Sequence, residues 1–308
     1  MKTPHQFPFD SSDHQQIQAF RWSPSSPPIA CVQIAHGMAD HSLRYSDFAA
    51  FLNEQGIVVY ANDHRGHGKT AGSLENRGYF ADRDGWNLVV EDMFRLNGII
   101  QQENPGLPVI LLGHSMGSFL SRTYMMKYSS TIRACILSGS ATHASVVVKS
   151  GLLLARIQQL FLGKKHRNKL LTQMTMGAFN KGVTNPKTDF DWVTHDENII
   201  ADYIADDYCG FVCTTGFFID LLSGLKIINN VSNIRKVRKD LPVCFVSGTE
   251  DPVGNYGKGV QQAAEKFSRA GIEDITVKLY QGGRHEMLNE INNKDVWNDL
   301  LIWIKKYI

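Results

Sequence analysis

The chain has 308 residues, 43% of them hydrophobic and 20% charged, the balance of a folded globular protein and not of a disordered or fibrous one. Its 32 basic and 30 acidic residues leave a net charge of +2, so no strong field attracts nucleic acid and no such partner is expected. The length suits one or two domains with ample core.

Five cysteines form no zinc pattern. Cys31, Cys135 and Cys244 lie inside apolar runs, and Cys209 and Cys213 have no second Cys pair or His to complete a ligand set. All five are expected as reduced thiols. The N-terminal residues lack the apolar region of a signal peptide, and the long uncharged stretches at 22–39 and 104–121 are broken by Pro, Gly and polar residues. A cytoplasmic chain is expected.

In chain order, a strand is expected at 29–35, and Tyr45, Phe48 and Leu52, spaced i, i+3, i+7, mark a helix. A second strand follows at 57–60. Trp86, Val89, Val90, Met93 and Ile100 then outline an amphipathic helix. Strand 109–112, a helix through Phe119, Leu120 and Tyr124, and strand 132–137 complete the first part. Such alternation argues for a parallel sheet with helices on both faces. The rhythm resumes with strand 243–246, a helix around 261–269, strand 275–280 and a last helix with Val296, Leu300, Trp303 and Tyr307 on one face. Between them the pattern is helical, with a stripe of Ser150, Leu153, Leu154, Ile157, Leu160 and Phe161 and further helical groups at 199–208 and 217–225. The expected division is therefore a core in two parts, 1–139 and 241–308, around a helical cap at 140–240.

The strongest local signal is Gly113-His114-Ser115-Met116-Gly117, between an expected strand and an expected helix. That is the context of a nucleophile elbow. A serine on so sharp a turn crowds its neighbours, and glycines two residues before and after remove the side chains that would clash. At a helix N-terminus, backbone N–H groups favour the negative charge that develops during acyl transfer. A serine hydroxyl needs a base, and the base an orienting acid; behind an elbow these follow in the order acid, then histidine. Asp251, after strand 243–246, is the expected acid, with Glu250 as its competitor. His285, in the glycine-rich loop after strand 275–280, is the expected base. The backbone N–H groups of Met116 and Met38 are the expected oxyanion donors, Met38 lying in the loop after the first long strand.

Four stretches together resemble the monoglyceride lipase and lysophospholipase branch of the α/β-hydrolases, the serine aminopeptidase S33-like family. They are His36-Gly37-Met38-Ala39-Asp40-His41-Ser42-Leu43-Arg44-Tyr45, Asn62-Asp63-His64-Arg65-Gly66-His67-Gly68, residues 113–117, and Gly283-Arg284-His285. The resemblance implies an α/β-hydrolase fold: a mostly parallel central sheet, helices on both faces and a helical cap insertion. It implies a serine esterase acting on a small-molecule acyl ester or lipid, with no metal or organic cofactor. His64 and His67 are expected to support the site and not to act in it. In monoglyceride lipases a carboxylate and an arginine of the first stretch help to hold the glycerol head group; by motif these fall on Asp40 and Arg44. An ion pair fastening the loop is the other reading of the same two residues. The branch commonly carries a further histidine three residues beyond the catalytic one, where this chain has Leu288.

The apolar stripe of the cap, followed by Lys164-Lys165-His166-Arg167 and Lys169, allows transient contact with a membrane surface, or else closure over the sheet with the charges at a solvated edge. The same triad also serves proline iminopeptidases and thioesterases. An aminopeptidase would need an acidic subsite, for which Asp202, Asp206 and Asp207 are candidates. A non-catalytic ligand receptor is the alternative from a different class. Oligomeric state is open.

Overall fold

In the computed structural model, which describes residues 3–308, the chain opens with an antiparallel hairpin, β1 (His5–Asp10) and β2 (Gln16–Trp22). The expected alternation follows: β3 (Ala30–Ala35), α1 (Ser46–Glu54), β4 (Ile57–Asn62), α2 (Gly85–Glu103), β5 (Val109–His114), α3 (Met116–Tyr128) and β6 (Ala134–Ser138). Five helices then intervene: α4 (Ser145–Leu162), α5 (Lys169–Phe179), α6 (Glu197–Ala205), α7 (Thr215–Ile228) and the short α8 (Val231–Ile234). The core resumes with β7 (Val243–Gly248), α9 (Lys258–Arg269), β8 (Ile275–Tyr280) and α10 (Asn293–Ile304).

The strands form one sheet in the order β1-β2-β4-β3-β5-β6-β7-β8, parallel from β4 to β8. This is the α/β-hydrolase fold with a helical cap. Strands β3, β4, β5, β6 and β7 are buried along their whole length, as parallel strands covered on both faces must be. Their side chains alternate between two cores. On one face Ile110 and Leu112 pack with Phe48 of α1 and Trp297 of α10; on the other Leu111 packs with Met93 of α2, Leu120 of α3 and the cap. Each such large side chain contributes about 1.5–3 kcal/mol by leaving water.

The hairpin β1–β2 is absent from the pattern-based expectation, as are α5, which lies in a stretch that reads as a polar segment, and the short α8. Strand β1 is mostly exposed and carries Pro8, which an edge strand tolerates because its missing N–H need not pair inward. A faint period-2 signal, with Ile17 and Ala19 both buried, was the only trace of β2.

Chain topology positions the site. From β3 the chain steps to β4 on one side, and β5 then pairs with β3 on the other. The loops leaving β3 and β5 therefore diverge and open a crevice at the carboxyl ends of the strands.

The stripe on α4 does not close over the sheet. Val148, Leu152 and Ala155 point inward, whereas Leu160 and Phe161 are 81% and 82% exposed and Leu153 and Ile157 are exposed beside them. Nor do all the basic residues beyond it face solvent: Lys164 and Arg167 donate to the carbonyls of Asp82 and Arg77, fastening the cap to the core.

Candidate active site

Ser115 sits between β5 and α3 with φ 52° and ψ −121°, a conformation that L-residues rarely adopt. The turn is possible only because its neighbours are glycines. A Cβ on Gly117 would lie 2.0 Å from the carbonyl oxygen of Ala35, and one on Gly113 would lie 2.4 Å from that of Gly117. The Ser115 N–H donates to the Ser138 carbonyl at 2.8 Å, which pins the elbow to β6.

The loop after β7 delivers Asp251, fully buried, and the loop after β8 delivers His285, also buried. His285 Nδ1 and Asp251 Oδ1 are 2.9 Å apart. The carboxylate also accepts from the Ser247 hydroxyl at 2.7 Å and the Val253 N–H at 2.9 Å. Burial alone would raise the Asp251 pKa, but His285, the Ser247 hydroxyl and the Gly254 N–H hold it below the usual carboxylate range. Glu250 is exposed and turned to His195, 3.6 Å away, so the geometry joins His285 to Asp251 and not to its neighbour. His285 Nε2 is buried without a hydrogen-bond partner among the described residues, and it lines the same cavity as Ser115.

Beyond β3 the loop 36–41 is held at several of its peptides. His36 Nδ1 meets the Gly37 carbonyl at 2.8 Å, and its Nε2 lies 2.9 Å from the His64 N–H. A carbonyl can only accept and an N–H can only donate, so His36 is the neutral Nδ1–H tautomer. Burial depresses its pKa to about 3, keeping it neutral. All peptides among the described residues are trans. Anchoring the Gly37 carbonyl therefore turns the Met38 N–H the opposite way. Neither that N–H nor the Met116 N–H donates to any described residue, and both methionines line the cavity. The strained Ala39, at φ 50°, is secured by the cap: its carbonyl accepts from the Tyr203 hydroxyl at 2.9 Å and the Gly210 N–H at 3.0 Å. His64 and His67 stack behind His36, with ring centroids 4.1 and 5.3 Å away, away from the cavity lining.

Asp40 and Arg44 are brought together, and a residue without an expected role joins them. Arg44 donates to Asp40 at 3.1 Å and grips both oxygens of Glu286 at 2.8 and 2.7 Å. Burial would raise both carboxyl pKa values, yet the Arg44 guanidinium holds both below their ordinary range. Glu286 follows His285 directly, and that adjacency was its only sequence signal.

The cap supplies further contacts to the base. Segment 191–195 lies along the His285 loop, where the Glu286 N–H donates to Val193 at 2.8 Å and Glu290 takes the His195 ring at 2.8 Å. Among the described residues one metal-capable trio, His41, Asp206 and Cys209, has ligand atoms within 4.8 Å of one another. His41 and Asp206 already pair at 2.8 Å, joining loop to cap. The five cysteines are all free thiols and buried.

Ser115 and His285 open into a cavity of about 320 Å³ whose far walls come from the cap, including Leu171, Met174, Phe179 and Leu221. Asp40 and Glu286 mark its polar end, while Asp202, Asp206 and Asp207 do not line it.

A model of the family described as serine aminopeptidase, S33 (Hydrolase_4) matches residues 26–292. The chain belongs to that family. This S33 hydrolase is 31% identical to the monoacylglycerol lipase of Mycolicibacterium smegmatis over 93% of its own length and 92% of the relative's. It is 27% identical to human monoglyceride lipase over 99% and 94% of the two chains. A carboxyl esterase from Bacillus coagulans, crystallised with glycerol, superposes with a TM-score of 0.92 at 28% identity, covering 100% of this chain and 99% of the other. This S33 protein is a serine hydrolase.

Proposed function

We propose that the chain is a carboxylic-ester hydrolase for single-chain lipid esters, monoacylglycerols or lysophospholipids, working through an acyl-enzyme. The observation that carries this reading is that Ser115, the Asp251-held His285 and the two residues with undonated N–H groups, Met38 and Met116, line one largely apolar cavity. His285 takes the Ser115 proton as the hydroxyl attacks the ester carbonyl. Asp251 keeps the imidazole in the required tautomer and stabilises the imidazolium. The N–H groups of Met38 and Met116 hold the oxyanion. The imidazolium then protonates the departing alcohol, and the same base activates the water that frees the acid. The apolar cap wall suits an acyl chain, and Asp40, the member of the Asp40–Arg44 pair that lines the cavity, marks where a head group would sit.

The core is 1–139 with 241–308, and the cap 140–240. An amine-directed reading is disfavoured because the cap carboxylates Asp202, Asp206 and Asp207 stand outside the cavity and the two that line it, Asp40 and Glu286, are already engaged by Arg44 and neighbouring donors. The cap further serves as a docking face for a lipid surface. Supporting this, α4 is the one described helix long and apolar enough to cross a bilayer, and its outer face is exposed.

The test is hydrolysis of p-nitrophenyl esters and a monoacylglycerol–lysophospholipid panel, with fluorophosphonate labelling. Ser115→Ala should abolish both turnover and labelling. Asp251→Asn should cost on the order of 10⁴-fold in kcat, and Glu250→Gln little. Undiminished turnover by Ser115→Ala would refute the reading.

A further inference from the structure

Arg44 joins two segments that lie far apart in the chain. On one side it bonds Asp40 at 3.1 Å, and Asp40 in turn accepts from the Gly37 N–H at 3.1 Å, the His41 N–H at 2.7 Å and the Tyr45 hydroxyl at 2.9 Å. On the other side it forms a two-pronged bond to Glu286, the residue next to His285, which also accepts from Asn289 at 2.8 Å. The guanidinium lies 4.7 Å from the centre of the Tyr203 ring, so its face is covered by the cap. Its side chain is only 12% exposed.

Each Asp40 oxygen already receives two donors, and so does one oxygen of Glu286. Little capacity remains on these groups for substrate hydroxyls. Their capacity is spent on geometry: Asp40 fixes Gly37, whose following peptide aims the Met38 N–H, and Glu286 fixes the backbone beside His285. We propose that Arg44 is a positioning residue that sets the spacing between the oxyanion donor at Met38 and the base at His285, through Asp40 on one side and Glu286 on the other. This rests on the esterase reading above. A rigid planar fork suits the task, since it defines direction as well as distance.

The experiment compares kcat and KM for a p-nitrophenyl ester, whose leaving group has no glycerol hydroxyls, with those for a monoacylglycerol. Arg44→Met should lower kcat on both substrates alike, on the order of a hundredfold for a misplacement near 1 Å, with KM nearly unchanged. Fluorophosphonate labelling of Ser115 should slow by a similar factor. The double variant Arg44→Met/Glu286→Met should fall no further than the single one, because both act through one strut. If Arg44→Met does not fold, Arg44→Lys carries the test, since it keeps the charge without the fork. A rise in KM for the monoacylglycerol alone, with the p-nitrophenyl ester unaffected, would make Arg44 a head-group ligand and overturn the proposal. Unchanged kinetics on both would overturn it too. A wild-type chain that neither turns over esters nor labels at Ser115 sinks the esterase reading and this inference together, whereas an active wild type with an equally active Arg44→Met sinks the inference alone.

Discussion

The Trp192 indole packs 5.1 Å from the His285 imidazole, ring centre to ring centre, and the Trp192 carbonyl accepts from the His285 N–H at 3.4 Å. Trp192 belongs to the cap, so the base of the proposed triad is held from both sides: Asp251 from the sheet and Trp192 from above. The cap is thus part of the proposed catalytic geometry as well as a wall of the cavity.

Replacing Trp192 by Ala should release the ring of His285. The expected result is a fall in kcat of about tenfold or more, since small misalignments of a catalytic group are costly. Trp192→Phe should restore most of it by keeping an aromatic face. Steady-state kinetics on a short p-nitrophenyl ester measure this without a long acyl chain in the cavity, and an unaltered kcat in Trp192→Ala would contradict it.

Stability should decline steeply on mild acidification. Burial depresses the pKa of His36 to about 3 and those of His67 and His114 to about 4, against an ordinary value of 6.5. Between about pH 6.5 and 4 the unfolded chain takes up protons at these histidines that the folded chain refuses. Their contribution is therefore complete above pH 6.5 and is lost as pH falls, at about 1.4 kcal/mol per pH unit for each. Urea midpoints should drop from pH 7 to pH 5; a flat profile across that range would count against neutral, buried rings.

Two glycine substitutions should have opposite signs. Gly117→Ala forces a Cβ to within 2.0 Å of a backbone oxygen that cannot yield. The cost should reach or exceed the usual overpacking range of about 1–3 kcal/mol. Gly98, inside α2, has open space where its Cβ would go. Gly98→Ala should stabilise by about 0.5–1 kcal/mol, because alanine loses less backbone entropy in a helix. Denaturant unfolding of both variants decides the matter.

If α4 meets a lipid surface, Leu160→Ser with Phe161→Ser should weaken vesicle binding strongly, since each large apolar side chain contributes about 1.5–3 kcal/mol on burial. Neither residue lines the cavity, so hydrolysis of a soluble short ester should persist. Flotation with phosphatidylcholine vesicles measures the difference. Wild-type protein that stays unbound would remove the docking role.

Much of this protein is determined within short stretches of chain. The alternation of apolar runs and helical stripes yields the sheet from β3 onward, because burial on two faces demands continuous runs in strands and 3.6-residue periodicity in helices. The elbow is equally local, since its clashes arise between residues a few positions apart or against one neighbouring strand. Other features arise only when distant segments meet. Asp251 and Glu250 are adjacent carboxylates, and chain direction after β7 alone decides that the first reaches His285 while the second faces solvent. Arg44 and Glu286 lie 242 positions apart, and no local pattern announces their bond. The outward face of α4 likewise became visible only with the core in place, because an apolar helix has the same periodicity whether its stripe meets protein or water. Covalent neighbours set sterics and period; pairing across the fold is set by topology, which brings those partners within hydrogen-bond range.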